Sequence, residues 1–417
     1  MLLLGAAGGV AGATLALLDR HPLGRALLPA GTELLLVDAE GPQAWVPMPA
    51  GARWLPAAEI EDAAALAELV AAHEVDLVVE LAAVDTWDCL RACAEQGASF
   101  LTTTFDTWEG TEEFDPDDPY CMLRARGLFT PPDVEHGTHL VCMGMNPGLV
   151  NLLVEAGLRE LARRSGRAPS LAELDVHAIV FTELDATEVT HAAPEPPEPT
   201  PESGALRFAS SWSPAGCLDE VLESHAMINV AGDITRLDHA PHRGRYRARC
   251  GPEAIVGHLV PHEELVSLAA MYPTVELAYV YRMPPAAEAA LAAAPERGPL
   301  EWPTERLYPP DHADDLRGFN RIGALICSRS LGELWIGWET PVSLGRRYAS
   351  NATLLQVAAG VIVGWTLAAE LEPGIWLPED LDSARALELA CEILGPLQIH
   401  ADPDAPPVAT RERRVDA

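Results

Sequence analysis

Short apolar blocks alternate with longer amphipathic segments along the first half of the chain. The blocks predict buried strands, and a glycine-rich turn after the first block predicts a helix that runs to Leu18. Amphipathic segments predict further helices at 59–73 and 87–96. This alternation is typical of a doubly wound parallel sheet, so we expect an α/β fold. The predicted strands are 2–4, 33–37, 75–84, 99–104 and 139–143.

The alternation is looser in the second half of the chain. The predicted elements there are a helix at 149–164, strands at 174–182 and 274–281, and a helix at 352–370. The last helix is apolar enough to be buried, but too short and interrupted to span a membrane. Two segments rich in proline and acidic residues, 190–203 and 297–315, are expected to be loops. The polar tail from His400 is expected to be disordered.

The chain opens with MLLLGAAGGVAGATLALLDR, which has no charged side chain before Asp19. No basic residue precedes the apolar run and glycines interrupt it, so we expect neither a secretory signal nor a membrane span. A strand, a tight turn and a helix fit better, because glycines let backbone N–H groups approach a pyrophosphate at a helix N-terminus. The predicted phosphate-binding glycines are Gly5, Gly8, Gly9 and Gly12, although their spacing is not a regular GxGxxG.

An acidic residue at the end of the second strand supports this interpretation. Asp38 follows the strand at 33–37, where a dinucleotide-binding fold places the carboxylate that hydrogen-bonds the adenosine ribose. A carboxylate there would repel a 2′-phosphate, so the sequence favours NAD over NADP. The glycines lie further from Asp38 than usual, and we assign the extra residues to a loop at 21–32.

Composition narrows the choice of partners. The 417 residues are enough for two domains, and 62 acidic residues against 28 basic ones give a formal net charge of -34. This charge argues against nucleic acid and suits small cations, although it also serves solubility. The chain has no lysine, which excludes a lysine Schiff base. Eight cysteines without a CxxC pair or zinc-ligand spacing indicate a reducing cytoplasm and no metal site.

Seven short motifs carry a more specific signal. They are MGMNPGLV at 143–150, FTELD at 181–185, SWSPAG at 211–216 followed by Glu220, GHLVPHEE at 257–264, YPTVELAY at 272–279, SNATLLQV at 350–357 and LGPL at 394–397. In this order they resemble the bacterial homospermidine synthase family, which is related to the saccharopine and carboxynorspermidine dehydrogenases. The resemblance covers nearly the whole chain.

The resemblance implies a Rossmann-type NAD-binding domain at 1–148, rejoined by about 345–399. It also implies a second α/β domain with a mixed sheet at 149–344, which would bind substrate and form a homodimer, and a disordered tail at 400–417. The implied enzyme oxidises a diamine such as putrescine to an imine, exchanges its amine with release of ammonia, and reduces the new imine with the same NADH. We therefore expect a small cationic amine as substrate, and neither nucleic acid nor membrane as a partner.

Two other functions stay open at this point. One is a saccharopine dehydrogenase-type reductive aminase, which would consume NAD(P)H with an aldehyde or keto acid and an amine. The other is an NAD-binding or interaction protein on the same fold, without catalysis.

The resemblance also assigns the reacting groups. Hydride leaves a carbon beside nitrogen readily only when that nitrogen is deprotonated. Glu183, Glu220 and His262 match family positions that would take the proton, and Asn146 matches a position that would hydrogen-bond the amine. Trp212 matches the tryptophan whose face would stabilise the protonated imine. Taken alone, each of them would be read as an ordinary packed, surface or turn residue.

Further positions bear on the choice of substrate. Asp106, Asp185 and Glu264 are expected to bind it. Two positions that are acidic in the family fall on Ala83 and on Asn320 or Arg321, so a different amine, an amino acid or an aldehyde stays open as the substrate. By this reasoning Arg321 either pairs with a substrate carboxylate or forms a structural ion pair.

Overall fold

The computed structural model of the chain describes residues 1–108, 130–190, 207–293, 302–309, 311–312 and 314–415. Most of their buried side chains lie in two β-sheets and in the helices packed on them. Of the two expected loops, residues 191–203 and 297–301 lie outside the described residues. The second loop prediction is wrong at Thr304–Arg306, which forms a strand beside Phe208–Ser210.

The first sheet is parallel, and six of its strands follow the order 3-2-1-4-5-6 of a dinucleotide-binding fold. From one edge to the other, its strands are Ala52–Trp54, Leu34–Val37, Leu2–Leu4, Leu77–Glu80, Ser99–Thr102, Thr138–Leu140 and Gly374–Trp376. The apolar blocks predicted the five central strands, because parallel strands are buried on both faces and are read as continuous apolar runs. The edge strand Ala52–Trp54 was missed, since its side chains are partly exposed and include an arginine.

Among the described residues, the helices that lie along the chain between the strands Leu2–Leu4 and Ser99–Thr102 of this sheet are Gly9–Arg20, Pro22–Leu27, Ala63–Ala72 and Thr86–Glu95. The loop predicted at 21–32 is therefore wrong in part. His21 begins the second helix, where its ring accepts a hydrogen bond from the Leu23 N–H at 3.3 Å. Proline suits the first helical position because its missing N–H would have no partner there.

The second sheet is mixed, and Val176–Asp185 and Glu276–Arg282 are the neighbours that run parallel among its described strands. Along its main path the strands are Asp233–Arg236, Met227–Val230, Glu276–Arg282, Val176–Asp185, Phe319–Ser328, Gly332–Pro341 and Gln398–Asp402. A hairpin of Tyr246–Cys250 and Glu253–Leu259 joins it through Glu276–Arg282. A separate small pair consists of Glu188–Val189 and Leu316–Arg317. The other α-helices are Leu149–Ser165, Pro214–Val221, Glu264–Ser267, Pro285–Ala293, Val342–Arg347, Ala352–Ala368 and Ser383–Leu394, with short 3₁₀ turns at Pro241–Arg243, Pro378–Asp380 and Thr410–Arg413.

The helix Ala352–Ala368 lies between the two sheets and packs on both, and on the helix Gly9–Arg20. It is apolar on nearly every side because it is buried on nearly every side. A side chain at Gly360 would lie 2.1 Å from the Gly144 carbonyl oxygen, so this helix closely approaches the backbone beside the 143–150 motif. Among the described residues, no helix combines the length and apolar character needed to cross a bilayer.

The disorder predicted for the tail is wrong as far as residue 415. Gln398–Asp402 pairs antiparallel with Gly332–Pro341. Further on, the Thr410 N–H donates to Glu276 at 2.9 Å, and Arg413 pairs with Glu333 at 2.7 Å with both side chains largely buried. The polar composition of the tail misled the prediction, because these polar groups find partners on the second sheet.

Gly5 fixes the turn after the first strand. Its φ is +72°, and a Cβ there would lie 2.5 Å from the Leu81 carbonyl oxygen. Glycine is therefore required both for the backbone conformation and for the close approach of the strand end at Leu81. The next part of the turn leads directly into the helix Gly9–Arg20.

We expect Gly5→Ala to lower the free energy of unfolding far more than Gly97→Ala. Gly97 has a similar φ of +77°, but no atom lies within 4 Å of its added Cβ. Its substitution should cost about 1 kcal/mol for backbone strain, while Gly5→Ala should cost about 3 kcal/mol because the backbone at Leu81 must also move. Urea unfolding of the two variants measures the difference. Equal losses would show that the contact with Leu81 does not constrain the turn.

Candidate active site

A cleft between the two sheets consists of two adjoining cavities, of about 690 and 470 Å³. Val10, Ser213, Ala215 and Leu354 line both of them. We call the larger one the glycine-turn cavity, because residues 8–11 line it. We call the smaller one the carboxylate cavity, because it is lined by the acidic side chains of Asp106, Glu183, Asp219, Glu220 and Glu263.

The glycine-turn cavity contains the N-terminus of the helix Gly9–Arg20. Gly8 provides no capping side chain, and the first turn has no acidic residue. The first backbone N–H groups of a helix have no acceptor within the helix, so this end offers donors and a positive dipole to an anion. A Cβ at Gly9 would lie 2.6 Å from the Leu354 side chain, so a larger residue would fill the space. These features fit a dinucleotide pyrophosphate.

Two further predicted cofactor residues, Gly12 and Asp38, do not line the glycine-turn cavity. A Cβ at Gly12 would lie 2.6 Å from the Trp45 ring, so Gly12 serves helix packing and is not part of the cavity wall. Asp38 accepts hydrogen bonds from the Ala7 N–H at 3.0 Å and the Glu40 N–H at 2.8 Å. It therefore ties the second strand to the glycine turn, and its contact with a ribose stays a prediction.

Two arginines on the glycine-turn cavity were missed by the sequence analysis. Arg207 and Arg306 line it, and Arg306 also pairs with Asp311 at 2.9 Å. Arg207 precedes the strand Phe208–Ser210, whose pairing with Thr304–Arg306 brings the two arginines to the same region. Nothing in the sequence indicated this pairing, because about a hundred residues separate the strands.

The carboxylate cavity brings together most of the predicted site residues. Trp212, Glu183, Glu220, His262, Asn146 and Asp106 all line it. They come from both halves of the chain, since Asp106 and Asn146 follow strands of the first sheet and Glu183 lies in the second. Within the described part of the chain, no arginine lines this cavity.

Glu183 is buried in the wall of the carboxylate cavity and has two donors. Its Oε2 accepts a hydrogen bond from the Tyr279 hydroxyl at 2.5 Å, and its Oε1 accepts one from the Asn320 amide at 2.6 Å. Burial raises the pKa of Glu183 to about 7, although these two hydrogen bonds lower it. The carboxylate is thus about half ionised near pH 7 and mostly ionised about one pH unit higher.

His262 is held as an imidazolium by three carboxylates. Its Nδ1 hydrogen-bonds Glu264 and lies 3.3 Å from Glu263, while Nε2 lies 3.9 Å from Glu220. Burial opposes the charge, but these carboxylates outweigh it and raise the pKa of His262 to about 10. A charged imidazole cannot accept another proton, so Glu220 and Glu183 are better suited to that predicted role. The ligand atoms of residues 262–264 lie within 4.8 Å of one another, but this ion pair already accounts for them, and the absence of a metal stays a prediction.

Tyr279 connects three of the predicted residues, although no role was predicted for it. Its hydroxyl accepts a hydrogen bond from the Asn146 amide at 2.7 Å and donates one to Glu183. Its ring stacks on His262, with centroids 4.9 Å apart and an interplanar angle of 13°. An aromatic face against an imidazolium stabilises the charge. The residue lies within the 272–279 motif, but its contacts depend on strand register.

Trp212 and Glu220 are positioned by one short helix, Pro214–Val221. Ser213 begins it by accepting a hydrogen bond from the Gly216 N–H at 3.1 Å, and Pro214 occupies the first helical position. A Cβ at Gly216 would lie 3.0 Å from the Trp212 ring, so glycine leaves space for the half-buried indole. The helix therefore places an aromatic face and a carboxylate on the same cavity.

Comparisons with known proteins agree with this architecture, although no family model matches the chain. A homospermidine synthase from Blastochloris viridis is 28% identical over 376 aligned residues, covering 78% of this chain and 74% of that protein. The homospermidine synthase of Legionella pneumophila, crystallised with NAD, is 20% identical with a TM-score of 0.78, covering 96% of this chain and 91% of its own. Apo saccharopine dehydrogenase (L-Glu forming) from Saccharomyces cerevisiae is 13% identical with a TM-score of 0.55, covering 96% and 99%.

The chain is a relative of homospermidine synthase. The predicted fold, a Rossmann-type parallel sheet with a second mixed sheet, is confirmed by its own topology and by both solved structures. A likeness in fold does not assign roles to single side chains. The roles predicted for the residues of this homospermidine synthase relative therefore rest on their own geometry.

Two of the predicted substrate ligands lie behind the cavity wall. Asp185 is buried, accepts hydrogen bonds from the Ser211 hydroxyl and, at 2.8 Å, from the Thr187 N–H, and does not line the cavity. Glu264 is fully buried against His262. The structure thus places both next to residues of the cavity wall, and their contact with a substrate stays a prediction.

The three residues considered for the two positions that depart from the family pattern have different surroundings. Ala83 lines the carboxylate cavity and adds no charge to it. Asn320 donates to Glu183. Arg321 pairs with Glu339, and with Glu253 at 2.6 Å, and does not line either cavity. Its structural ion pairs are confirmed.

We expect Glu264→Gln to lower the pKa of His262. Burial disfavours the imidazolium, and the variant has one carboxylate fewer to stabilise it. The folded-state pKa, about 10, lies above the unfolded value of about 6.5. The imidazolium therefore stabilises the fold fully below about pH 6.5, and this contribution is lost as the pH rises through about 10. The dependence of the free energy of unfolding on pH over this window should be weaker in the variant.

Proton NMR of the histidine rings, with His262→Asn used for assignment, measures the pKa directly. Glu188→Gln is the control, because Glu188 is an exposed partner of Arg317 and should not affect His262. An unchanged His262 titration in Glu264→Gln would contradict the assignment.

Proposed function

We propose that the chain is an NAD-dependent enzyme of the homospermidine synthase type. It oxidises a diamine or polyamine to an imine, exchanges the amine with release of ammonia, and reduces the product imine. The observation that carries the proposal is the carboxylate cavity, in which five acidic side chains and an aromatic face adjoin a glycine turn suited to a dinucleotide. The homospermidine synthase from Blastochloris viridis provides independent support.

The charge of the cavity favours a diamine over a keto acid. A keto acid brings a carboxylate, which needs a cation or a set of free donors. His262 is the one positively charged side chain among the described residues that line the cavity, and its charge is already balanced by Glu264, Glu263 and Glu220. A saccharopine dehydrogenase-type reaction with an aldehyde and an amine remains the alternative, because an aldehyde brings no charge.

The glycine-turn cavity supports NAD as the cofactor. The uncapped first turn of the helix Gly9–Arg20 would hold the pyrophosphate. Arg207 and Arg306 lie on the same cavity, although they also pair with Glu305 at 4.0 Å and Asp311 at 2.9 Å. Asp38 would hold the adenosine ribose and disfavour a 2′-phosphate. When bound, NAD would accept a hydride from the amine carbon and return it to the product imine.

The residues of the carboxylate cavity bind the substrate, remove its proton and stabilise the imine. Asp106 and Glu220 attract the ammonium groups of the substrate, and Glu220 takes the proton that must leave before oxidation. Glu220 is better placed for this than Glu183, because its side chain is 20% exposed while Glu183 is 4% exposed. The face of Trp212 stabilises the protonated imine. Both imines are formed from substrate, so the absence of lysine is compatible with the route.

The proposal also covers the oligomeric state of the protein and its location in the cell. We infer that the chain works in the cytoplasm as a homodimer formed through the second sheet. Analytical ultracentrifugation gives the mass in solution, and a monomer at micromolar concentration would contradict the dimer.

We expect purified protein with NAD and a panel of diamines to form a condensed amine and ammonia without net change in NADH. Trp212→Ala should lower kcat/KM for the diamine by about 30-fold, equivalent to about 2 kcal/mol, because the cation loses its aromatic face. Trp212→Phe should lose less, since a smaller aromatic face remains. Mass spectrometry of the products and absorbance of NADH are the measurements.

Trp54→Ala is the control for removal of a tryptophan, because Trp54 lies on the edge strand of the first sheet, away from both cavities. Steady consumption of NADH with an aldehyde and an amine would support the reductive aminase instead. If no diamine yields a condensed amine, the proposed reaction is wrong.

A further inference from the structure

We propose that Tyr279 fixes the direction of the Asn146 amide, so that the Asn146 carbonyl oxygen faces the cavity and accepts a hydrogen bond from the substrate amine. Tyr279 is then a positioning residue for amine recognition. The inference rests on the proposed amine chemistry. It adds that Tyr279 determines which end of the Asn146 amide faces the substrate.

Three hydrogen-bonding side chains form a short series in the cavity wall. The Asn146 Nδ2 lies 2.7 Å from the Tyr279 hydroxyl oxygen, which in turn lies 2.5 Å from the Glu183 Oε2. Tyr279 is 1% exposed and Glu183 is 4% exposed, so water does not compete freely for these groups. Asn146 is half-buried and lines the cavity.

The donors and acceptors allow one direction when Glu183 is ionised. A carboxylate only accepts, so the single hydroxyl proton of Tyr279 goes to Glu183. The Tyr279 oxygen is then an acceptor, and only the NH₂ end of the Asn146 amide can donate to it. The carbonyl end of Asn146 must therefore point away from Tyr279.

The other oxygen of Glu183 is occupied as well, which holds the carboxylate in place. Asn320 donates to it at 2.6 Å and also donates to the Thr353 hydroxyl at 3.1 Å. Since burial raises the pKa of Glu183 to about 7, the ionised form dominates from about one pH unit above that value. In that pH range Glu183 fixes the donor and acceptor in both hydrogen bonds, so that Asn146 donates to Tyr279 and Tyr279 donates to Glu183.

The direction matters because an ammonium or iminium group only donates. A carbonyl oxygen at the cavity is complementary to it, whereas an NH₂ group would place donor against donor. Loss of a hydrogen bond to a charged group typically weakens binding about tenfold to a hundredfold. Tyr279→Phe should therefore weaken amine binding by about that factor, although the phenyl ring can still stack on His262.

A double-mutant cycle separates orientation from packing. The probe is 1,4-diaminobutane, titrated calorimetrically at about one pH unit above the pKa of Glu183. The protein is saturated with NADH, which cannot accept a hydride, so the diamine binds without being oxidised. In the Asn146 background, Tyr279→Phe should raise the Kd about tenfold or more. In the Asn146→Asp background it should raise the Kd by less than about threefold, because either carboxylate oxygen accepts from the amine in any orientation.

Tyr246→Phe is the matched control. Tyr246 is also 1% exposed, and its hydroxyl hydrogen-bonds His239 at 2.7 Å away from both cavities. It should leave the Kd for the diamine within about twofold of the wild type. The Kd for NADH should stay unchanged in Tyr279→Phe, since Tyr279 does not line the glycine-turn cavity.

Equal losses on Tyr279→Phe in both backgrounds, or no loss in either, would overturn the inference. Asn146→Asp alone provides a test that leaves Tyr279 intact, because it should bind the diamine at least as tightly as the wild type. Tenfold weaker binding by Asn146→Asp would overturn the inference, because it would mean that the NH₂ end of Asn146 donates to the lone pair of a neutral amine nitrogen. If the wild type itself binds no diamine, the proposed function fails, and that result is distinct from a failure of the cycle.

Discussion

Burial of one carboxylate, that of Glu183, is the constraint on which the inner cleft depends. A buried carboxylate needs donors, and strand register supplies them. Glu183 lies opposite Tyr281 on one neighbouring strand and Ile322 on the other, so Tyr279 and Asn320 fall on the same face two positions away. A slip of one residue in either pairing would turn these donors to the opposite face and leave the carboxylate without them. The pairing of the second sheet therefore determines the chemistry of the cavity.

Acidic residues around His262 control the net charge of the carboxylate cavity. His262 carries a positive charge into the cavity wall, but Glu264 holds it from behind, and Glu263 and Glu220 lie close to it. The cavity therefore keeps an excess of negative charge despite the imidazolium. Small cations are attracted to such a site, while anions other than a dinucleotide at the adjoining helix end are repelled.

The sequence predicted what depends on local pattern and failed where distant segments meet. The buried parallel strands were recognised because their apolar blocks are continuous. The cavity residues were recognised through motifs, but the burial of Asp185 and Glu264 behind the lining residues was not predicted, since an acidic residue in a motif does not reveal whether its carboxylate faces a cavity. Tyr279 acquires its partners through register, and the tail acquires its order through Arg413 and Glu333. None of these contacts has a local signal.

The path of the last part of the chain has a consequence for synthesis. Gly374–Trp376 completes the first sheet and Gln398–Asp402 completes the second, although most of both sheets is encoded long before. Until residue 376 has emerged from the ribosome, Thr138–Leu140 is an open edge with unpaired backbone groups. Both sheets are therefore completed only once residue 402 has been made, and a chain that stops before that point carries open strand edges able to pair with other nascent chains.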